Sequence, residues 1–222
     1  LITCFLFSLY SFTQNYDLYI GSLNTAGDTY DIAVSGSYAY VADGYYARIV
    51  DISDVSNPTE VGSYEVADYA QGVFISGNYL YVADSNAGLL ILDVTDKTNP
   101  TLVDSLDYMK PGTQDWQNNY QNVIVSGNYA YVTAYKFFYI FDVSDPTNIT
   151  HTGGTYSCGN CYHFDLEGNY AYIASGSGGL KIVDISDPSN PTQVAVHDDY
   201  TDGCCVGIED VEVNGNYAYA TN

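Results

Sequence analysis

The chain has 222 residues, 46% of them hydrophobic, 15% aromatic and 14% charged, with 27 acidic groups against 5 basic ones. That is enough apolar material for a sizeable core and is not the composition of a disordered chain. A formal net charge of -22 repels phosphate backbones and anionic headgroups, which excludes nucleic acid as a partner; the acidity reads as solubility in a salty extracellular setting, with specific cation binding as the sharper alternative.

Residues 1–13, LITCFLFSLYSFT, carry no charge and end on small residues before Gln14. They read as a secretory signal peptide truncated at its front, an apolar edge strand being the alternative, and residues 14–222 as the folded domain. No other apolar run approaches the roughly 18 residues of a membrane span. The expected location is therefore extracellular or at the cell surface. After this leader, Leu18-Tyr-Ile-Gly-Ser-Leu23 resembles Glu60-Val-Gly-Ser-Tyr64, the run that closes the first full repeat, so the chain enters on the last strand of a repeat.

The rest is repetitive. A Gly followed by Asn or Ser, then a Tyr-rich apolar run, a second apolar run ending in Asp, and a turn of the form Asp-x-Ser/Thr-Asn-Pro-Thr recurs from Gly36, Gly77, Gly127 and Gly168, and in part from Gly215. Repeats start near residues 30, 71, 121, 162 and 209, a period of roughly forty to fifty residues that marks a repeat architecture. In the first copy four β-runs are expected: Asp31–Ser35, Tyr38–Ala42, Ala47–Ile52 and Thr59–Ser63. The Gly-Asn and Gly-Ser steps suit a hairpin turn because both residues tolerate positive φ. The Asp and Ser/Thr side chains of the second turn can bond nearby backbone N–H groups, and Pro keeps the chain out of helix. Four antiparallel strands per repeat specify an all-β fold, a β-propeller of four-stranded blades. Four full repeats and a partial fifth are expected to be a fragment of a larger propeller.

The copies Gly179-Leu-Lys-Ile-Val-Asp184, Ala47-Arg-Ile-Val-Asp51, Gly88-Leu-Leu-Ile-Leu-Asp93 and Phe138-Tyr-Ile-Phe-Asp142 resemble the LVIVD repeat of bacterial and archaeal cell-surface or secreted proteins. The third copy departs most, with Phe-Phe for Gly-Leu and Ile149 in place of the turn Pro. The resemblance implies a surface propeller and brings no catalytic residues with it.

The paired tyrosines 38/40, 79/81, 129/131, 170/172 and 217/219 lie two apart, on one face of a strand, and are expected to wedge between blades. The Asp turns are read as structural, with calcium as the alternative and no cofactor expected. Specificity should lie where the repeats differ, in the loops entering each innermost strand. Asp31, Gly72, Asn122, His163 and Asp210 stand five residues before each hairpin Gly, preceded by Tyr30, Gln71, Gln121, Tyr162 and Glu209. These should ring one mouth of the central channel, with Asp165 and Glu212 adding to an acidic side beside His163. The channel is expected to be a solvated lining; a cation site or an acid/base pair is the alternative.

The longest loop, residues 107–120, holds the only Trp, Trp116, and ends at Tyr120; an aromatic, amide-rich loop suits recognition of a glycan or peptide, with an ordinary insertion as the equal alternative. Cys158, Cys161, Cys204 and Cys205 fall in the two following loops and are expected to form two disulfides, in any of three pairings. A zinc site with His163 is the lesser alternative. Asn148-Ile-Thr150 is a glycosylation sequon. With no nucleophile elbow, HExxH or phosphate loop, the sequence points to a noncatalytic scaffold that binds a protein or polysaccharide. A channel-based hydrolase or lyase and a self-assembling surface protein are the competing readings.

Overall fold

The computed structural model describes residues 22–25, 27–108, 119–156, 160–198 and 207–221. It is all-β among these residues, with sixteen strands grouped into blades. The first blade takes β1 (Thr29–Ser35), β2 (Tyr38–Asp51) and the start of β3 (Thr59–Ser76); the second takes the rest of β3, β4 (Tyr79–Asp84), β5 (Gly88–Asp93) and β6 (Thr101–Leu106). The third is β7 (Tyr120–Ser126), β8 (Tyr129–Ala134), β9 (Phe137–Asp142) and β10 (Thr150–Tyr156), and the fourth is β11 (Phe164–Glu167), β12 (Tyr170–Ala174), β13 (Leu180–Asp184) and β14 (Thr192–His197). A hairpin of β15 (Asp210–Asn214) and β16 (Tyr217–Thr221) begins the fifth. Strands within each blade are antiparallel and in sequence order.

Two boundaries differ from the sequence reading. The second and third runs of the first repeat form one long strand, β2, which pairs β1 through Tyr38–Asp43 and β3 through Gly44–Asp51. Gly44, at φ 59, turns the chain between the two halves. Strand β3 likewise pairs β2 through Thr59–Glu65 and β4 through Ala70–Ser76, so it leaves one blade and enters the next without a loop. The two blades consequently share a six-stranded sheet.

The turns follow the sequence closely. Gly36, Gly77, Gly127, Gly168 and Gly215 all sit at φ 60, the left-handed conformation that selects Gly there. In the second turn, Asp54 Oδ1 accepts the Ser56 N–H at 3.0 Å and the Ser56 hydroxyl at 2.5 Å, and the Asn57 N–H donates to the Asp54 carbonyl at 3.0 Å. Asp96/Thr98, Asp145/Thr147 and Asp187/Ser189 repeat this. The carboxylates are thus acceptors for their own turn.

The tyrosine pairs are wedges where a following blade covers them. Tyr40, Tyr81 and Tyr131 are buried, each in a core that spans two consecutive blades: Tyr40 with Val73 and Leu80, Tyr81 with Val123 and Val132, Tyr131 with Phe164 and Ile173. Tyr172 packs partly buried against Leu180 and Val211. Tyr217 and Tyr219, on the last strand, are exposed.

Blades are also stapled by carboxylates that reach across to backbone. Asp31 accepts its neighbour Ile32 N–H through Oδ1 at 2.7 Å and Val73 N–H of the second blade through Oδ2 at 2.9 Å. Asp165 does the same with Leu166 at 2.8 Å and Val213 of the fifth blade at 2.7 Å. At the periphery, Asp104 takes Ser105 N–H at 2.9 Å and Ile149 N–H of the third blade at 2.8 Å.

The peripheral staple explains the departure of the third repeat. Asp104 follows a β-bulge on β6, and Gly62 and Gly153 occupy the same place on β3 and β10. There the facing turn approaches so closely that a Cβ on Gly62 would strike the Lys97 carbonyl, and one on Gly153 the Pro188 carbonyl and Pro191 ring. The turn Pro offers no N–H. With Ile149 in its place the turn has a donor, and Asp104 replaces the Gly to accept it.

Ile149→Pro alone removes that donor and leaves a desolvated carboxylate oxygen, with an expected cost of about 1–3 kcal/mol in urea unfolding. Adding Asp104→Gly recreates the close glycine-to-turn approach seen at Gly62 and Gly153, and the double variant should lose clearly less than the two single losses summed.

Hydrogen bonds from Ser or Thr hydroxyls and backbone N–H groups hold Asp51, Asp54, Asp93, Asp96, Asp142, Asp145 and Asp184 below their usual 3.8. A lowered folded-state pKa gives stability that is present above the unfolded value and lost as pH falls through the folded one. Burial instead raises Asp31 and Asp84, whose penalty eases on acidification. The urea midpoint should therefore hold or rise slightly down to about pH 4 and fall steeply below it.

Candidate ligand site at the channel mouth

The innermost strands β1, β3, β7, β11 and β15 neighbour one another in succession, so residues at their starts share one end of the channel. Each start is distorted in the same way. Opposite β2, β4 and β8, the ladder skips Tyr30, Gln71 and Gln121. In the fourth repeat Tyr162 N–H donates to the Ala174 carbonyl at 3.0 Å while Ala174 N–H donates to the His163 carbonyl at 2.9 Å, again two residues against one. Such bulges re-aim side chains and cluster beside functional sites. The sequence supplied the positions; it did not reveal that each is a bulge.

The bulge residues and their successors form a varied set on a repeated frame. Asp31, Asn122, His163 and Asp210 occupy equivalent positions, and the Asp31 carboxyl feels both His163 and Asp210. Burial is the main reason its pKa is raised, opposed by the Val73 and Ile32 N–H bonds and by His163, and reinforced by Asp210. Nδ1 of His163 lies 2.7 Å from Oδ1 of Asp210 but out of line for a hydrogen bond, and the two side chains are 42% and 59% exposed. Asp210 Oδ1 also accepts Val211 N–H at 2.8 Å. Glu209 beside it is exposed.

Gly72 leaves the ring without a side chain next to Asn122, since a Cβ there would sit 2.6 Å from the Gln121 carbonyl oxygen and 2.8 Å from Asn122 Cα. Asn122 is 5% exposed, and its Oδ1 is buried with no hydrogen-bond partner among the described residues. Gln71 is half-buried. The Tyr162 hydroxyl accepts Asn160 Nδ2 at 3.0 Å and its carbonyl accepts the Thr133 hydroxyl at 3.0 Å.

Three expected site residues have other work. Both carboxylate oxygens of Asp31 and of Asp165 are engaged by backbone N–H groups, as described. Tyr120 is fully buried, its hydroxyl bonded to the backbone of Tyr108, and burial pushes its pKa up; no ligand reaches it. Trp116, Cys158, Cys204 and Cys205 lie outside the described residues, while Cys161 is buried.

Sequence reasoning missed an aromatic pair on the same end. Tyr45 and Tyr69 are exposed, their rings 4.4 Å apart and their hydroxyls 2.9 Å apart. Buried Asp84 fixes the segment that carries Tyr69, accepting Ala67 N–H at 2.9 Å and Asp68 N–H at 3.1 Å. Asn86 Nδ2 donates to Asp68 at 2.6 Å. Among the described residues no group of three His, Cys, Asp or Glu is placed to hold a metal ion, and no helix is long and apolar enough to cross a membrane.

No curated protein sequence matches the chain. Among solved structures it is similar to the periplasmic gluconolactonase PpgL of Pseudomonas aeruginosa, with a TM-score of 0.74 and 14% identity over 89% of this chain and 65% of that one. A functionally unknown protein from Desulfotomaculum acetoxidans aligns with a TM-score of 0.69 and 15% identity, over 91% of this chain and 66% of that one. The computationally designed Ika8 protein gives 0.64 and 12%, over 87% and 55%. These identities carry the fold alone, and the chain spans less than two thirds of the length of each of the three. The LVIVD repeat matches residues 26–66, 67–108, 119–155, 159–199 and 208–221, one match to each blade. The chain is a β-propeller that belongs to the LVIVD-repeat family.

Proposed function

We propose that this propeller is a noncatalytic extracellular scaffold that holds a protein or polysaccharide at its channel mouth. One observation carries the reading: the blades repeat their turns and wedges, while the bulge positions at the mouth differ from blade to blade. A frame held constant under a varied rim suits recognition. The tilted Tyr45–Tyr69 pair adds an exposed aromatic surface on that rim, which suits a sugar face or a peptide side chain.

The His163–Asp210 contact favours a second reading, an extracellular hydrolase in which the imidazole acts as general base and Asp210 orients it. Against it, glycoside hydrolysis calls for two carboxyl groups flanking a bond, and Asp31 and Asp165 already spend both oxygens on backbone N–H groups. That leaves Glu209, Asp210 and Glu212, all on β15 or at its start, and none of them stands on a strand opposed to the others.

Affinity electrophoresis of the full chain through xylan, chitosan and alginate should show retardation by at least one of them. The His163→Ala/Asp210→Ala double variant should weaken that retention about tenfold, a loss of about 1.4 kcal/mol. Turnover of glucono-lactone or of the polysaccharide itself, abolished by the same variant, would replace the scaffold with the hydrolase.

A further inference from the structure

We propose that Asn148 is an acceptor for an N-linked glycan, carried on the end of the propeller opposite the channel mouth. This rests on the extracellular part of the reading above and not on what the mouth binds.

All four complete repeats place one tripeptide frame in the turn before the outermost strand: Asn57-Pro-Thr59, Asn99-Pro-Thr101, Asn148-Ile-Thr150 and Asn190-Pro-Thr192. Each has the spacing of an N-glycosylation acceptor, but a Pro in the middle position disqualifies it. Pro fixes its own φ and restricts the residue before it, so the Asn-Pro step lacks the conformational freedom that a transferase requires. The third repeat alone lifts this block. The fold absorbs the change, because Asp104 accepts the Ile149 N–H at 2.8 Å.

The structure presents this acceptor to solvent. Asn148 and Thr150 are exposed on either side of buried Ile149. Asp145 Oδ1 accepts the Thr147 N–H at 3.0 Å and its hydroxyl at 2.7 Å, and the Asn148 N–H donates to the Asp145 carbonyl at 3.0 Å. These bonds hold the turn, and none of them uses the Asn148 side-chain amide, so a sugar on that nitrogen leaves them intact. Strand β7 starts at the mouth and the strands of its blade alternate in direction. The turn between β9 and β10 therefore lies at the far end beside the β7–β8 hairpin, where the Val143 N–H donates to the Asn128 carbonyl at 2.8 Å. A glycan there is bulky and solubilising, and it stands clear of the mouth.

The transfer joins Asn148 Nδ2 to C1 of the first sugar of a polyprenyl-diphosphate-linked oligosaccharide. The bond from C1 to the diphosphate oxygen breaks, the polyprenyl diphosphate leaves with the electron pair, and one amide proton passes to a base of the transferase. Nothing is oxidised or reduced.

The test is intact mass and peptide mapping of the full chain, secreted from insect cells behind a host signal peptide. A single glycan is expected on the peptide that contains Asn148, and peptide N-glycosidase should remove it and leave aspartate at that position. Asn148→Gln and Thr150→Ala, both at exposed positions, should each abolish it. So should the Ile149→Pro/Asp104→Gly double variant, which restores the Pro block. Glycosylated and enzymatically deglycosylated protein should share one urea midpoint and one retention in the polysaccharide gels. Folded, secreted protein that carries no glycan, a glycan that survives Asn148→Gln, or retention that changes when the glycan is removed would each overturn the proposal. A glycosylated chain that no polysaccharide retards would sink the scaffold reading and leave this site standing; an unglycosylated chain that is retarded would do the reverse.

Discussion

The structure depends on what happens to the N–H groups at the inner edges of its sheets. A propeller blade ends on an innermost strand whose outward-facing backbone groups have no further strand to bond, and an unpaired edge is both an energetic cost and an invitation to wrong partners. Here Asp31 and Asp165 close that edge between the first and second and the fourth and fifth blades. One carboxylate oxygen caps the residue's own neighbour and the other reaches the next blade, so a single short side chain satisfies two donors and fixes the spacing of two sheets. Hydrophobic wedges such as Tyr40 and Tyr81 supply attraction between blades without direction; the staples supply the register.

The same constraint accounts for much of the acidity. Carboxylates are acceptor-only groups, and this fold uses them wherever backbone donors are stranded: in the Asp turns, at the inner edge and at the periphery. Basic residues are rare, and Arg48 is itself consumed by Asp43 and Glu60. Mutual repulsion among so many carboxylates is offset locally, since hydrogen bonds from N–H and hydroxyl groups hold the turn aspartates in the charged form.

The fold was legible because turns and wedges are local or strictly periodic. The glycine turns, the Asp-x-Ser/Thr turns and the tyrosine pairs follow from spacing; the turns took the expected form throughout, and the tyrosines did so where a following blade covers them, with Tyr217 and Tyr219 left exposed. The roles of Asp31 and Asp165 were not legible. An acidic residue at a variable channel position reads as a ligand site, and only the strand-to-strand approach reveals that Val73 and Val213, some forty residues away, claim the second oxygen. Tyr120 misled for a similar reason: it closes a polar loop in sequence but begins β7, where it faces the core. Ile149 looked like drift from the repeat until its position against Asp104 gave the N–H a purpose. The pairing of Tyr45 with Tyr69 depends on how the long strands β2 and β3 lie against each other and leaves no trace in either segment.

The shared strand β3 has a consequence for how such proteins change in size. Repeat proteins gain and lose units by duplication and deletion, and the cut is harmless where it falls in a loop. Between the first and second blades the chain has no loop: a crossover there would sever a strand that belongs to both sheets. A deletion that ends inside β3 should therefore disrupt both of the first two blades, since they share one sheet.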